Sequence, residues 1–402
     1  MKTILGLVIG LVGVGSLTGC SGEGGFEAVG SQSEALTTLA TATALQRGTR
    51  HDYNGDGKED LIFYDGTGSH LYLGLAPSGF AADSWVRNDL TSNNTSYAAG
   101  DYNGDGKSDL LIVNPSGVYE YTGRSDGSFN GDAWTSAAFT YANVAITVGD
   151  FNGDLKSDFI ATTSSGSYLY TGKSTGGFNA NVWSNTALKL GVVQLTAGNF
   201  NSDAATDFIS TSANGSWEYT GKTTGGFNAN VWSNSSINTA TQGCRFSVGN
   251  FDGTGPDDFI VSTASGGYLY LGKSTGGFNA SWSSPDFPVN NSPILGGNFD
   301  GAAGMDIIEQ VAGSFHGAVE RIWLNGDWSS SLWVDQRYDN SYDAALFRGD
   351  FNGDGMDDLL SMTRTNSPIS EGTHEHTGKY GGSFNSDVWI APDIYADTMT
   401  PY

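Results

Sequence analysis

From about residue 44 onward, apolar positions come in short runs separated by breaks rich in Gly, Ser and Asn. Ala145-Ile146-Thr147-Val148-Gly149, Asp158-Phe159-Ile160-Ala161-Thr162-Thr163 and Tyr168-Leu169-Tyr170-Thr171-Gly172 are examples. Such runs are too short for amphipathic helices, and β-branched and aromatic residues dominate them, so each predicts a strand. Leu110-Leu111-Ile112-Val113 is apolar at consecutive positions. A strand of that kind must be covered on both faces.

The pattern repeats. Asp52-Tyr53-Asn54-Gly55-Asp56-Gly57-Lys58-Glu59-Asp60 recurs from Asp101, Asp150, Asn199, Asn250, Asn298 and Asp350, at intervals of 48–52 residues. Each unit reads as a short strand, an acidic loop, a second strand, a Ser/Gly turn and a third strand. A Gly-Gly-Phe-Asn segment follows, and a last strand is expected to begin near the Trp (Trp183 in the third unit). Four strands per unit of about 50 residues describe one propeller blade. The expected fold is therefore all-β, a seven-bladed β-propeller of four-stranded antiparallel blades spanning 44–402. A strand near Ala44–Arg47 would open blade one and the stretch after Trp389 would end blade seven, with a strand-exchanged closure as the alternative. Gly100, Gly149, Gly198, Gly249, Gly297 and Gly349 each precede a loop, where a missing side chain permits close approach near the axis.

Residues 1–19 read differently. Lys2 precedes an apolar stretch from Ile4 to Leu17, too short to span a bilayer, as in a signal peptide. It ends in Leu17-Thr18-Gly19-Cys20, which resembles a bacterial lipobox and implies lipidation of Cys20. Ser21 after it resembles an outer-membrane sorting signal. Residues 20–43 read as the lipidated Cys and a flexible tether. The expected location is the cell envelope, lipid-anchored at the outer membrane or cell surface. The second cysteine, Cys244, reads as a buried strand residue, so no disulfide framework exists to brace the fold.

Charge changes the picture further. Eighteen basic against 43 acidic residues give a net charge of −25, which disfavours nucleic acid and attracts cations. The acids concentrate in the repeated loop, where oxygen-bearing side chains at positions 1, 3, 5 and 9 alternate with Gly at 4 and 6. A hard cation such as Ca²⁺ wants six to eight oxygen ligands, and this spacing lets the backbone coil around one. The candidate ligands are Asp52, Asn54, Asp56 and Asp60; Asp101, Asn103, Asp105 and Asp109; Asp150, Asn152, Asp154 and Asp158; and Asp350, Asn352, Asp354 and Asp358. Weaker sets are Asn199, Asn201, Asp203 and Asp207 in the fourth loop, and Asn250, Asp252 and Asp258 with Thr254 in the fifth. The sixth has Ala302 at position 5. An EF-hand is excluded because position 12 holds Phe63, Ile112, Ala161 or Ser361 rather than Glu. The nine-residue loop at this spacing instead resembles the FG-GAP/VCBS repeat of integrin α-chain propellers and bacterial surface proteins. The resemblance implies four Ca²⁺ sites, up to seven, on a propeller.

A second recurring series is Trp85, Trp134, Trp183, Trp232, Trp282, Trp333 and Trp389. It reads first as inter-blade packing, with sugar stacking as the alternative. Lys173, Lys222, Lys273 and Lys379 read as solvated turn residues, and His374-Glu375-His376 as packing residues rather than a transition-metal pair. No nucleophile elbow, phosphate loop or zincin motif is present. Two functional classes stay open: a non-enzymatic, monomeric binding or adhesion propeller for glycan or surface protein, and a polysaccharide-active enzyme. Only the lipid anchor would touch the membrane. Cys20→Ser is expected to leave an unprocessed or soluble form in detergent phase partitioning, whereas Cys244→Ser should leave localisation unchanged.

Overall fold

The computed structural model describes residues 51–401 except 66–67, 91–94, 240–244, 264–265, 285–293, 312–316, 322, 325–326, 329–332, 336–344, 363–371 and 392–398. The leader, Cys20, the tether and Cys244 therefore lie outside the described residues, as does Ala44–Arg47.

Seven four-stranded antiparallel sheets follow one another around the ring. Blade two runs from the axis outward as Ser96–Gly100, Asp109–Asn114, Gly117–Gly123 and Phe129–Ser136, and blade three as Val144–Gly149, Asp158–Thr163, Gly166–Gly172 and Phe178–Asn185. Inner strands are covered on both faces because blades stack face to face, and Val144–Gly149 is buried at every position. The rim strand Phe178–Asn185 is buried only at Phe178 and exposed over the next four residues. Blade six departs from the plan, with a small hairpin, Trp323–Leu324 paired with Asp327–Trp328, before its outer strand Trp333–Asp335.

Two expectations need correction. The rim strand begins at the Phe of the Gly-Gly-Phe-Asn segment, not near the Trp. Its register with the third strand shifts between Leu169 and Thr171, and Asn181 takes φ 54° in the left-handed region. This bulge breaks the two-residue alternation and hides the first half of the strand from a periodicity reading. The ring also closes by strand exchange. Met399–Pro401 pairs with Phe63, Tyr64 and Asp65, the inner edge of Leu61–Asp65 in blade one. Blade seven is already complete with Phe384–Ala391 as its rim strand. Ser69–Gly74 takes the other edge of Leu61–Asp65, so blade one has its four strands with the C-terminal one innermost.

Neighbouring blades are joined by a repeated set of contacts. The N–H of loop position 8 donates to the position-1 carbonyl of the preceding blade, as in Ser108 to Asp52 (2.8 Å), Ser157 to Asp101 (2.7 Å) and Thr206 to Asp150 (2.7 Å). Asp257, Met305 and Asp357 continue the series, and Glu59 to Asp350 (2.9 Å) closes it across the seam. Further out, the turn Phe of five blades lies between two aromatics of the preceding blade. Phe178 meets Tyr102 at 5.3 Å and Trp134 at 5.1 Å, both edge-on. Phe129, Phe227, Phe278 and Phe80 repeat this with Trp85, Trp183, Trp232 and Trp389. Edge-to-face pairs of this kind add about 0.5–1.5 kcal/mol each beyond burial.

For Gly100 and Gly149 the glycine before the loop has a more specific reason than general crowding at the axis. A Cβ on Gly100 would strike the Ser157 side chain, and one on Gly149 the Thr206 side chain, each at 2.7 Å. The space is taken by position 8 of the next blade. Gly172 is tighter, because a Cβ there would meet the Tyr102 carbonyl at 2.3 Å and the Ser157 carbonyl at 2.6 Å. Both obstacles are backbone, one from each side of the blade two–three junction. Gly172→Ala is therefore expected to lower stability by about 3 kcal/mol or more in denaturant melts. Gly191→Ala, at φ 77° with open space around it, should cost only about 1 kcal/mol of backbone strain.

Candidate functional site

In blades two to seven each acidic loop joins the innermost strand to the second, and in blade one it leads into the second strand, Leu61–Asp65, so the seven loops share one end of the ring. Position 1 turns its carboxylate onto the loop's own backbone. Asp52 accepts from Gly55 N (2.7 Å) and Asp56 N (3.1 Å) on Oδ1, and from Gly57 N (2.8 Å) on Oδ2. Asp101 repeats this with Gly104, Asp105 and Gly106. Position 4 needs the left-handed region, supplied by Gly104 at φ 74°. The third loop departs at position 6, where Leu155 takes φ 67°, and the fourth at position 4, where Ser202 takes φ 60°.

Position 9 opens the second strand and is buried. Asp109 accepts from Gly123 N (2.9 Å) on Oδ1 and from Tyr102 N (3.0 Å) on Oδ2, tying the loop to the third strand. Asp60, Asp207, Asp258 and Asp358 are bound in the same way. Burial pushes these carboxyls up, to about 8 for Asp60, Asp109, Asp158 and Asp207, about 7 for Asp258 and about 9 for Asp358. Backbone donors oppose the rise, and the other carboxylates of each loop add to it. Burial also raises Asp101 and Asp150.

These loops have the donor chemistry for a hard cation. Every candidate ligand offers oxygen, and several of those oxygens are buried without a partner: Asn103 Oδ1, Asp158 Oδ2, Asn199 Oδ1 and Asn250 Oδ1. Among the described residues, no three His, Cys, Asp or Glu side chains gather closely enough to hold a metal alone. A cation here would therefore draw on Asn oxygens and main-chain carbonyls as well. The structure brings the predicted residues of each loop together within that loop: Asp52 with Asn54, Asp56 and Asp60; Asp150 with Asn152, Asp154 and Asp158; and Asp350 with Asn352, Asp354 and Asp358. In the fourth, Asn201 Nδ2 donates to Asp203 Oδ2 at 2.8 Å, and in the fifth Thr254 Oγ1 donates to Asp252 at 3.0 Å. The sixth does not fit a metal. Ala302 offers no ligand, and Tyr380 from the blade-seven turn lies over Gly301.

Sequence reading missed a set of buried glutamates at the middle of the third strand. Glu120, Glu218, Glu320 and Glu375 are inaccessible to solvent. Each crosses to the next blade and accepts a turn N–H: Gly177 (2.7 Å), Gly277 (2.7 Å), Ser383 (2.5 Å) and Gly79 (2.6 Å). Burial raises Glu120, and carries Glu218, Glu320 and Glu375 to about 7. Leu71, Leu169 and Leu269 hold the same place in blades one, three and five. The available signal was one charged residue inside Tyr119-Glu120-Tyr121, where a strand buried on both faces should carry none.

The other constellations resolve into packing. His374 Nδ1 lies 2.8 Å from Asp387 Oδ1, while His376 accepts from Asp387 N at 3.3 Å on Nδ1 and lies 3.2 Å from Ser361 Oγ through Nε2, so both imidazoles are held by protein partners. Lys173, Lys222 and Lys273 begin the turns, their N–H groups bound to Gly177, Gly226 and Gly277. Trp85, Trp134, Trp183, Trp232 and Trp389 pack between blades as described above, Trp282 faces Trp328 at 6.4 Å, and the side chain of Trp333 lies outside the described residues.

The sequence profile of the FG-GAP-like repeat matches residues 52–112 and 101–161, the first two loop-to-loop units. The chain carries FG-GAP-like repeats. Among solved structures, a lectin from Agrocybe aegerita that recognises non-reducing terminal N-acetylglucosamine is similar at TM-score 0.66 and 14 % identity, over 86 % of this chain and 95 % of that one. A Lactobacillus plantarum protein matches at TM-score 0.52 and 10 % identity, over 85 % of this chain and 99 % of that one. A Bacteroides uniformis protein provisionally described as a 6-phosphogluconolactonase gives the same values. At these identities the likeness is one of fold. No curated protein sequence matches the chain significantly.

The buried position-9 carboxyls set a pH dependence for the FG-GAP-like loops. Their folded-state values lie above the unfolded value near 3.8, so the cation-free fold binds the extra protons. Stability is then fully present below about pH 4 and is lost as pH rises through about 8. Thermal melts in excess chelator are expected to fall steadily between pH 5 and pH 8, and saturating calcium should flatten or reverse that slope.

Proposed function

We propose that the chain is a calcium-stabilised binding propeller of the cell envelope, held there by a lipid on Cys20, that presents its rim to neutral extracellular glycan. The observation that carries this reading is the rim of blades three to five. Their outer strands are Phe-Asn-Ala-Asn-Val-Trp-Ser-Asn, the same eight residues again, and Phe-Asn-Ala-Ser-Trp-Ser-Ser. In a chain of net charge −25, these exposed strands carry no charge at all. They combine Asn amides, which both donate and accept, with half-buried Trp rings, a pairing suited to sugar hydroxyls and ring faces. Equivalent surfaces side by side convert weak contacts into avidity, by about 10²–10⁴ when several engage. The similarity to a fungal N-acetylglucosamine lectin supports the reading at the level of fold.

The acidic loops serve as the metal-dependent brace. The four full sets belong to blades seven, one, two and three, adjacent around the ring and flanking the exchanged strand. At 100 times its dissociation constant, each bound ion adds about 2.7 kcal/mol, so four would add on the order of 10 kcal/mol. The buried glutamates lie sealed between blades, which withholds them from a solvent-borne substrate and favours a binding role over hydrolysis.

Melting temperature is expected to fall steeply in excess chelator, with Asp105→Ala reproducing part of the loss; an unchanged melt would remove the calcium brace from the account. Glycan-array and cell-wall polysaccharide binding is expected in calcium without polymer breakdown, by a monomeric propeller. Sustained product release would replace the binder with an enzyme, and silence on every glycan would turn the reading toward a protein partner.

A further inference from the structure

The loops of blades one, two, three and seven share one set of candidate ligands but differ at position 7, which holds Lys58, Lys107, Lys156 and Met356. In the first three, a single lysine engages both oxygens of the position-5 carboxylate. Lys58 N donates to Asp56 Oδ1 at 3.0 Å, and its ammonium lies 2.6 Å from Oδ2. Lys107 does the same to Asp105, at 3.0 Å and 3.0 Å, and Lys156 to Asp154, at 3.1 Å and 2.8 Å. In blade seven, Met356 keeps the backbone half of this arrangement, donating to Asp354 Oδ1 at 2.9 Å, and brings no ammonium. Arg348 of that blade pairs with Asp357, at position 8.

Each lysine also leans on the preceding loop. The Lys107 stem covers Gly55, the Lys156 stem Gly104 and the Lys58 stem Gly353, so that a Cβ on any of these glycines would strike it. The ammonium is thus delivered from a stem already fixed by packing, which lowers the entropy lost in forming the pair.

We infer that Lys58, Lys107 and Lys156 are tethered ammonium ions that stand in for calcium at the acidic loops of blades one to three, and that the ring yields first at blade seven when calcium is withdrawn. The inference rests on the calcium reading above. An ammonium and a divalent cation drawn to one carboxylate repel each other, so the lysine favours the calcium-free loop and weakens calcium binding by the same factor. Blade seven lacks this substitute and adjoins the seam, where Met399–Pro401 supplies the inner strand of blade one.

The test compares wild type, the triple variant Lys58→Met/Lys107→Met/Lys156→Met, the reciprocal Met356→Lys and the turn control Lys173→Met. Each is melted in excess chelator and in saturating calcium, and titrated with calcium chloride by calorimetry. The triple variant is expected to melt about 3–8 °C below wild type in chelator, to differ little in calcium, and to bind calcium about threefold more tightly per loop. Met356→Lys should melt above wild type in chelator and bind calcium more weakly. An equal fall in both conditions would overturn the inference, leaving the lysines as packing over glycine, and so would an equal fall in the control. If wild type shows neither calcium heat nor calcium stabilisation, the calcium reading itself fails and the inference falls with it.

Discussion

A single hydrogen bond, repeated at every junction, sets the geometry of the ring: the N–H of loop position 8 on the position-1 carbonyl of the blade before it. A blade alone cannot bury both faces of its inner strands, so its stability depends on its neighbours, as in any repeat protein. This bond brings two loops into contact and fixes their offset. Behind Gly100, Gly149 and Gly349 the side chain at position 8 then fills the space left by the glycine in the preceding inner strand. Within the loop, the position-9 aspartate binds the N–H two residues into the turn and the glycine that ends the third strand. Loop, blade and junction thus form one hydrogen-bonded unit.

The same unit explains why the acidic loops tolerate their charge. The buried carboxylates at position 9 are costly, and backbone N–H groups offset only part of that cost. Burial accordingly raises the position-9 carboxyls toward the protonated form, while at position 5 a lysine ammonium pairs with the carboxylate in three loops. A cation drawn to the position-5 carboxylate would compete with that lysine, so conditions that favour one weaken the other. Neutralisation at the loops is therefore coupled to blade docking and to closure of the ring.

Away from the loops, the junctions are held by aromatic wedges and buried glutamates. In five blades the turn Phe enters between a loop aromatic and a rim Trp of the preceding blade, which accounts for both recurring aromatic signatures there in structural terms. The glutamates occupy four junctions and leucines the other three. Where Leu71 takes that place, the equivalent turn N–H of Ser128 is bound locally by Asp126 Oδ1 at 3.1 Å. That junction thus satisfies the turn locally where the Glu junctions satisfy it across blades, which distinguishes blades that are otherwise nearly alike.

The sequence by itself determined the number of blades, their four-strand order and the position of every acidic loop, because these follow from short-range period and from spacing that recurs seven times. It also placed Asp52, Asn54, Asp56 and Asp60 in one loop, since a nine-residue turn brings its own residues together. Only the tertiary structure decided how the ring closes, because Met399–Pro401 and Leu61–Asp65 are far apart in sequence and pair only when seven blades bring them together. The start of the rim strand was obscured by a bulge at Asn181, whose left-handed backbone breaks the local alternation. The glutamate contacts needed the fold as well, because Glu120 finds its partner in Gly177 of the next blade and nothing near it in sequence identifies that donor. Local chemistry was legible wherever the partner lay within one turn or one strand, and illegible wherever it came from the neighbouring blade.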